Sequence, residues 1–284
     1  MRKLGTLVLI IATAAAQAIG VSPASAATIP VGSVEVATAT ATGPGLSKTL
    51  SATCPAARPR VLGGGFTTTG THIVATELQP VAGGTVDSYR VTARQDEVGT
   101  SASWNLLVYA YCSSAAPGWQ LVTTNSSATS DPFNSVPATC PTGKTVVGTG
   151  GRINGGGGQV QLVTQTIGSV APNRMIAGGL EDLTGFGGSW SVTAFAVCVA
   201  FNNPLDVRVV SDQLSGTQIT KSVPVACPSG MRLTGSSIWA DIPGNAINLR
   251  PNNNTPFSVT GTARNDTGNT TAGWTLIVYA NCAV

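Results

Sequence analysis

Charge is scarce in this chain. Lysine, arginine, aspartate and glutamate together make up 10% of its 284 residues, aromatic residues contribute 5%, and there is a single histidine. So little charge leaves no basic patch for nucleic acid or an anionic membrane, because both are held by clustered lysine and arginine. One histidine cannot furnish the short-spaced ligand sets of zinc sites, so no metal and no cofactor is expected. Beyond the N-terminal stretch, no apolar run is long enough to span a bilayer as a helix.

The N-terminus reads MRKLGTLVLIIATAAAQAIGVSPASA, with Arg2 and Lys3 ahead of an apolar run and Ala24 and Ala26 flanking Ser25. That is the pattern of a secretory signal peptide over residues 1–26. Gln17, Gly20 and Pro23 interrupt the run, which disfavours an uncleaved anchor, and no cysteine follows the cleavage site to carry lipid. Removal of Arg2 and Lys3 leaves 13 basic residues against 12 acidic ones. The expectation is a secreted, extracellular protein without membrane insertion, whose Thr, Ser, Asn and Gly favour strands and turns.

Internal repetition then organises the chain. SWNLLVYAYC (103–112), SWSVTAFAVC (189–198) and GWTLIVYANC (273–282) each set a tryptophan eight residues ahead of a cysteine. Six cysteines stand at 54, 112, 140, 198, 227 and 282, and ATCPTGKTVVGTGG, VACPSGMRLTGSS and ATCPAARPRVLGGG repeat around the first of each pair. Three β repeats follow, over 27–115, 116–203 and 204–284. An exported chain with an even cysteine count reads as disulfide-bonded. Only pairing within a repeat lets every copy fold alike, which selects Cys54–Cys112, Cys140–Cys198 and Cys227–Cys282. Each bridge closes a loop worth on the order of 3–4 kcal/mol.

Within the closing phrase, alternation at period two puts Trp104, Leu106, Val108, Ala110 and Cys112 on one strand face, with the same pattern in the other copies. The opposite face, including Leu107, Tyr109 and Tyr111, is too apolar to stand open to water and needs a cover. Gly63, Gly148 and Gly235 recur at one place and mark a bulge or tight bend. The fold class expected is all-β, with three tandem disulfide-closed antiparallel sandwich or barrel units. The alternative is one closed pseudo-threefold β body.

The combination CP-x-G-x-x-V-x-G-x-G followed by W-x-L-x-V-Y-A-x-C resembles a group of largely uncharacterised secreted repeat proteins of actinobacteria. The resemblance covers all three repeats. It implies export and a disulfide-closed β unit, and carries no catalytic residue onto this chain.

Chemistry is thin. His72 is the one imidazole, and a hydrolase would rest on His72 with Glu77 in the first repeat. The adjacent carboxylates Asp96-Glu97 and Glu181-Asp182 project to opposite faces of a strand, unlike a glycosidase pair. Two threefold sets stand out instead. Asp96, Asp182 and Asp266 each precede a repeat's tryptophan by eight residues, and Tyr109, Phe195 and Tyr279 each precede its last cysteine by three. The plain roles are turn capping for the aspartates and packing for the aromatics. The functional role is three equivalent polar sites for a sugar or cation, with rings to stack on sugars. The expected function is a secreted, non-enzymatic, multivalent binder of extracellular glycan. The alternative is a structural protein of the cell exterior that binds protein partners, and a secreted hydrolase stands third.

Overall fold

The computed structural model describes residues 33–70, 72–241, 244–265 and 273–284. Residues 1–26, where a signal peptide is expected, and Asp266 lie outside them. Among the described residues the regular structure is β, apart from two 3-10 turns at Pro204–Asp206 and Asn252–Asn254. The first repeat runs through β1 (Val34–Gly43), β2 (Ser47–Thr53), β3 (Arg60–Thr68), β4 (Ile73–Val81), β5 (Ser88–Gln95) and β6 (Trp104–Ser113). The second runs through β7 (Gln120–Asn125), β8 (Phe133–Thr139), β9 (Lys144–Asn154), β10 (Val160–Ile167), β11 (Arg174–Glu181) and β12 (Ser191–Ala200). The third runs through β13 (Val207–Gly216), β14 (Thr220–Ala226), β15 (Arg232–Ala240), β16 (Gly244–Pro251), β17 (Ser258–Asn265) and β18 (Trp274–Ala283).

Each repeat builds two antiparallel three-stranded layers, in the first case β1-β6-β3 and β2-β5-β4. Alternation in the closing strand is what holds the layers together. Trp104, Leu106, Val108, Ala110 and Cys112 are all buried between them, and Trp190 and Trp274 occupy the same place in the other copies. The bridges are Cys54–Cys112, Cys140–Cys198 and Cys227–Cys282. Each joins the end of one layer's strand to the central strand of the other. Units this small bury a modest core, and the cross-links offset that by restricting the unfolded chain.

The expectation of three tandem self-contained sandwiches is corrected by the strand pairing. β4 of the first repeat pairs with β9 of the second, with Leu78 opposite Gly151, and β16 of the third pairs with β3 of the first, with Leu249 opposite Phe66. Two sheets are therefore six-stranded and shared between repeats, β1-β6-β3-β16-β17-β14 and β2-β5-β4-β9-β12-β7. At the remaining junction β10 lies against β15 without ladder pairs, leaving β10-β11-β8 and β13-β18-β15 as three-stranded sheets. The four sheets close into a propeller-like ring.

Three glycines explain why the repeats fuse. The ladders shift register between Val61 and Gly63 and between Leu233 and Gly235, and β9 skips Val147 opposite β12 in the same manner. These bulges turn Gly63, Gly148 and Gly235 toward one another. A Cβ on Gly148 would stand 1.8 Å from the Leu62 carbonyl oxygen, and one on Gly63 or Gly235 would stand 2.6 Å from its nearest neighbour in another repeat. Only glycine permits this three-way backbone contact. Leu62, Val147, Val197, Val199, Val207 and Ala283 gather as a small second core drawn from all three repeats. The outer face of the closing strands is thus covered by neighbouring repeats. Tyr111, for instance, is fully buried with its hydroxyl 3.4 Å from Ser236 Oγ of the third repeat.

Candidate functional site

Asp96 and Asp182 are placed by their turns. Asp96 is buried, and its Oδ1 accepts hydrogen bonds from the backbone N–H of Val98 (2.9 Å) and Gly99 (3.0 Å). Asp182 Oδ1 accepts in the same manner from Thr184 N (3.0 Å) and Gly185 N (2.9 Å). Both carboxylates serve to close the turn between two strands. One hydroxyl, Thr184 Oγ1, lies 2.8 Å from both Asp182 Oδ1 and Glu97 Oε1. Burial, and after it the neighbouring Glu97, raises the Asp182 pKa above the ordinary carboxylate value. Among the described residues no three Asp, Glu, His or Cys side chains converge to hold a metal ion.

The aromatic triplet sits at junctions between repeats and not on open surface. Tyr109 and Phe195 are each 3% exposed, and Tyr279 is half-buried with its hydroxyl donating to Gln165 Oε1 at 3.3 Å. Burial raises the Tyr279 pKa. The rings of Tyr109 and Phe195 therefore present no face for stacking. His72, in the left-handed region at φ 62, sets Nδ1 2.9 Å from Asp96 Oδ2. Glu77 lies elsewhere, accepting from Arg90 Nη2 (2.8 Å) and Thr92 Oγ1 (2.6 Å), so the structure does not bring His72 and Glu77 together.

The structure assembles a different place, at the junction of the second and third repeats. Phe133, opening β8, is 45% exposed, and its ring meets the half-buried Trp239 of β15 edge to face at 6.2 Å and 71°. Pro132, Leu180 and Ala240 complete an apolar groove of about 500 Å³, with Glu181 and Asp241 as its two carboxylates. That volume lies in the range of small-molecule sites, which are concave, apolar and dressed with few polar groups. Strand alternation sets the geometry. Ile238 is buried in the third repeat's core, so its neighbour Trp239 faces the opposite way, toward the second repeat.

The two carboxylates are held differently. Glu181 is buried, accepting from Trp190 Nε1 at 2.7 Å and from Phe186 N at 3.1 Å. Asp241 is exposed and accepts through Oδ1 from Thr275 N at 2.7 Å. Its second oxygen has no partner among the described residues. Behind it, Lys221 is buried 3.7 Å over the Trp274 ring and donates to Gly216 O (2.8 Å) and Trp274 O (2.6 Å). Burial lowers the Lys221 pKa, and the charge of Asp241 opposes that fall.

Phe133 and Trp239 escape a search for what the repeats share, because they are departures from it. Counting from the first cysteine of each repeat, Phe133 corresponds to Ser47 and Thr220; counting from the bulge glycine, Trp239 corresponds to Thr67 and Arg152. Large aromatics standing where sister repeats carry small or polar residues were the available signal. Compared with known proteins, the chain matches no family model and no curated protein sequence.

Proposed function

We propose that this is an exported, non-enzymatic protein that binds an extracellular saccharide in the groove between its second and third repeats. The observation that carries the reading is the exposed Phe133 set against Trp239 with the carboxylates of Glu181 and Asp241 beside them. Aromatic rings pack against the C–H faces of sugars, and carboxylate oxygens accept from sugar hydroxyls, so the groove pairs the two contacts that a saccharide needs. Export is supported by the N-terminal leader pattern and by three disulfides, which suit an oxidising compartment. No helix among the described residues is long and apolar enough to cross a membrane.

The reading departs from three equivalent sites built on repeated aspartates and aromatics, since Asp96 and Asp182 cap their turns and the Phe195 ring is buried. It places the ligand at the junction of the second and third repeats instead. The test is a panel of neutral oligosaccharides and cell-wall polysaccharides presented to the oxidised mature protein and to Trp239→Ala and Phe133→Ala. Saccharide binding that weakens at least about tenfold in either variant, the scale of losing a central aromatic contact, is the expected result. Absence of binding to every glycan overturns the reading and directs the search to protein partners.

A further inference from the structure

The three junctions can be compared position by position, and one of them is chemically incomplete. The aromatic residue three before the last cysteine of each repeat faces the end of a strand from the preceding repeat. By strand register, Gln79 opposite Arg90, Gln165 opposite Ile176 and Arg250 opposite Thr260 are the same position in β4, β10 and β16. Gln165 gives its amide oxygen to the Tyr279 hydroxyl. Gln79 accepts from Arg90 Nη2, and its junction holds Phe195, which has no hydroxyl to satisfy. At the junction of the third and first repeats the pair is Arg250 with Tyr109.

That exchange removes the acceptor. A guanidinium carries only donors, so it cannot receive the phenolic proton as glutamine does. Tyr109 is 97% buried by its 3% exposure, yet its hydroxyl makes no hydrogen bond to the described residues. Arg250 is exposed and forms no ion pair or hydrogen bond with them. Both residues line a polar bowl of about 520 Å³ together with Asn252, Asn253 and Asn254. Asn252 is engaged with Ser258 and Thr260, whereas the carboxamides of Asn253 and Asn254 have no partner among the described residues. No carboxylate lines the bowl. With a guanidinium and a phenolic O–H facing it and no carboxylate, the bowl suits an acceptor of negative charge.

We infer that this bowl is a second binding site, specific for an oxyanion, in which Arg250 pairs with the anion and the Tyr109 hydroxyl donates to one of its oxygens. A guanidinium matches the two oxygens of a carboxylate or phosphate with two parallel N–H donors, and the phenol adds a third bond from a fixed direction. The oxyanion site stands on these unpaired donors alone. That the anion is borne by a sugar, as a uronate or a sugar phosphate, rests on the saccharide reading.

The experiment is a titration of the oxidised mature protein with inorganic phosphate, glucuronate, glucose 6-phosphate and glucose, followed by NMR shifts and calorimetry. Saturable binding of an oxyanion that shifts the resonances around Arg250 and Tyr109 is expected, with glucose leaving those resonances unmoved whether or not it enters the aromatic groove. Oxyanion binding should fall about tenfold in Arg250→Gln, the loss of one charge-assisted pair, and by a smaller factor in Tyr109→Phe. Arg250→Gln recreates the acceptor found at Gln165, so Tm should hold or rise, which separates lost binding from lost folding. Preference for glucuronate assigns a carboxylate ligand, and preference for glucose 6-phosphate or phosphate assigns a phosphate. Binding of inorganic phosphate without either acidic sugar keeps the oxyanion site and removes the sugar. No oxyanion binding, or binding unchanged in Arg250→Gln, overturns the inference.

Discussion

Asp96 and Asp182 show how one residue type in one turn can be left with different electrostatics. Asp96 spends its second oxygen on His72 Nδ1, whereas Asp182 Oδ2 is buried without a partner among the described residues and its carboxyl is pushed up in pKa. Asp96→Ala would strand the Val98 and Gly99 amides and should cost about 1–2 kcal/mol by thermal or denaturant unfolding, with saccharide binding unchanged. For Asp182 the sign runs the other way from a salt-bridged carboxylate. A carboxyl whose pKa is raised on folding holds its proton more tightly in the folded state, so its stabilisation is full in acid. It is lost as pH climbs from the ordinary carboxylate value through the raised one. Glu97→Gln, which removes the like charge, should therefore raise Tm at neutral pH and change it little in strong acid. An equal shift at both pH values would contradict this account of the pair.

Among elements, the bulged strands β3, β9 and β15 decide the architecture. Gly148→Ala drives a Cβ into the Leu62 carbonyl, backbone against backbone, and nothing flexible can yield. The loss should exceed about 3 kcal/mol, or folding should fail, and Gly63→Ala and Gly235→Ala should behave alike by circular dichroism and thermal melting. The closing strands carry a second local theme that only two repeats keep. Lys48 sits 4.1 Å over Trp104 and Lys221 sits 3.7 Å over Trp274, while Asn134 holds that place in the second repeat and donates to Ser126 and Ser127. Trp190 turns its indole N–H to Glu181 instead, and so helps fix one carboxylate of the groove. A departure within one element thereby shapes the site at a junction.

For the whole molecule, the repeat, the β class and the within-repeat bridges could be read from period-two alternation and cysteine spacing, because those are local patterns. The sharing of sheets could not. Pairing of Leu78 with Gly151 or Leu249 with Phe66 depends on edge strands meeting in space, and edge strands look alike in sequence whether they are paired or capped. Bulges at the three glycines were legible, but not the contact that they permit. The site followed the same division. Threefold residues such as Asp96 and Phe195 drew attention by recurring, yet Asp96 closes a turn and Phe195 is buried in packing. Phe133, Trp239 and Arg250 break the repeat, and their meaning depends on a partner in the next repeat. Since β4 and β9 belong to one sheet, the ring should unfold in one cooperative calorimetric transition. The excised segment 116–203, deprived of β4, should lack the native strand content by circular dichroism.

The most direct measurement is the stoichiometry of neutral oligosaccharide binding by isothermal titration calorimetry, on the oxidised protein and on Trp239→Ala. The account predicts one ligand per chain and loss of that binding in the variant, because Phe133 and Trp239 have no aromatic counterparts at the corresponding positions of the other repeats. Three equivalent ligands per chain, undiminished in Trp239→Ala, would contradict it and return the function to the features that the repeats share.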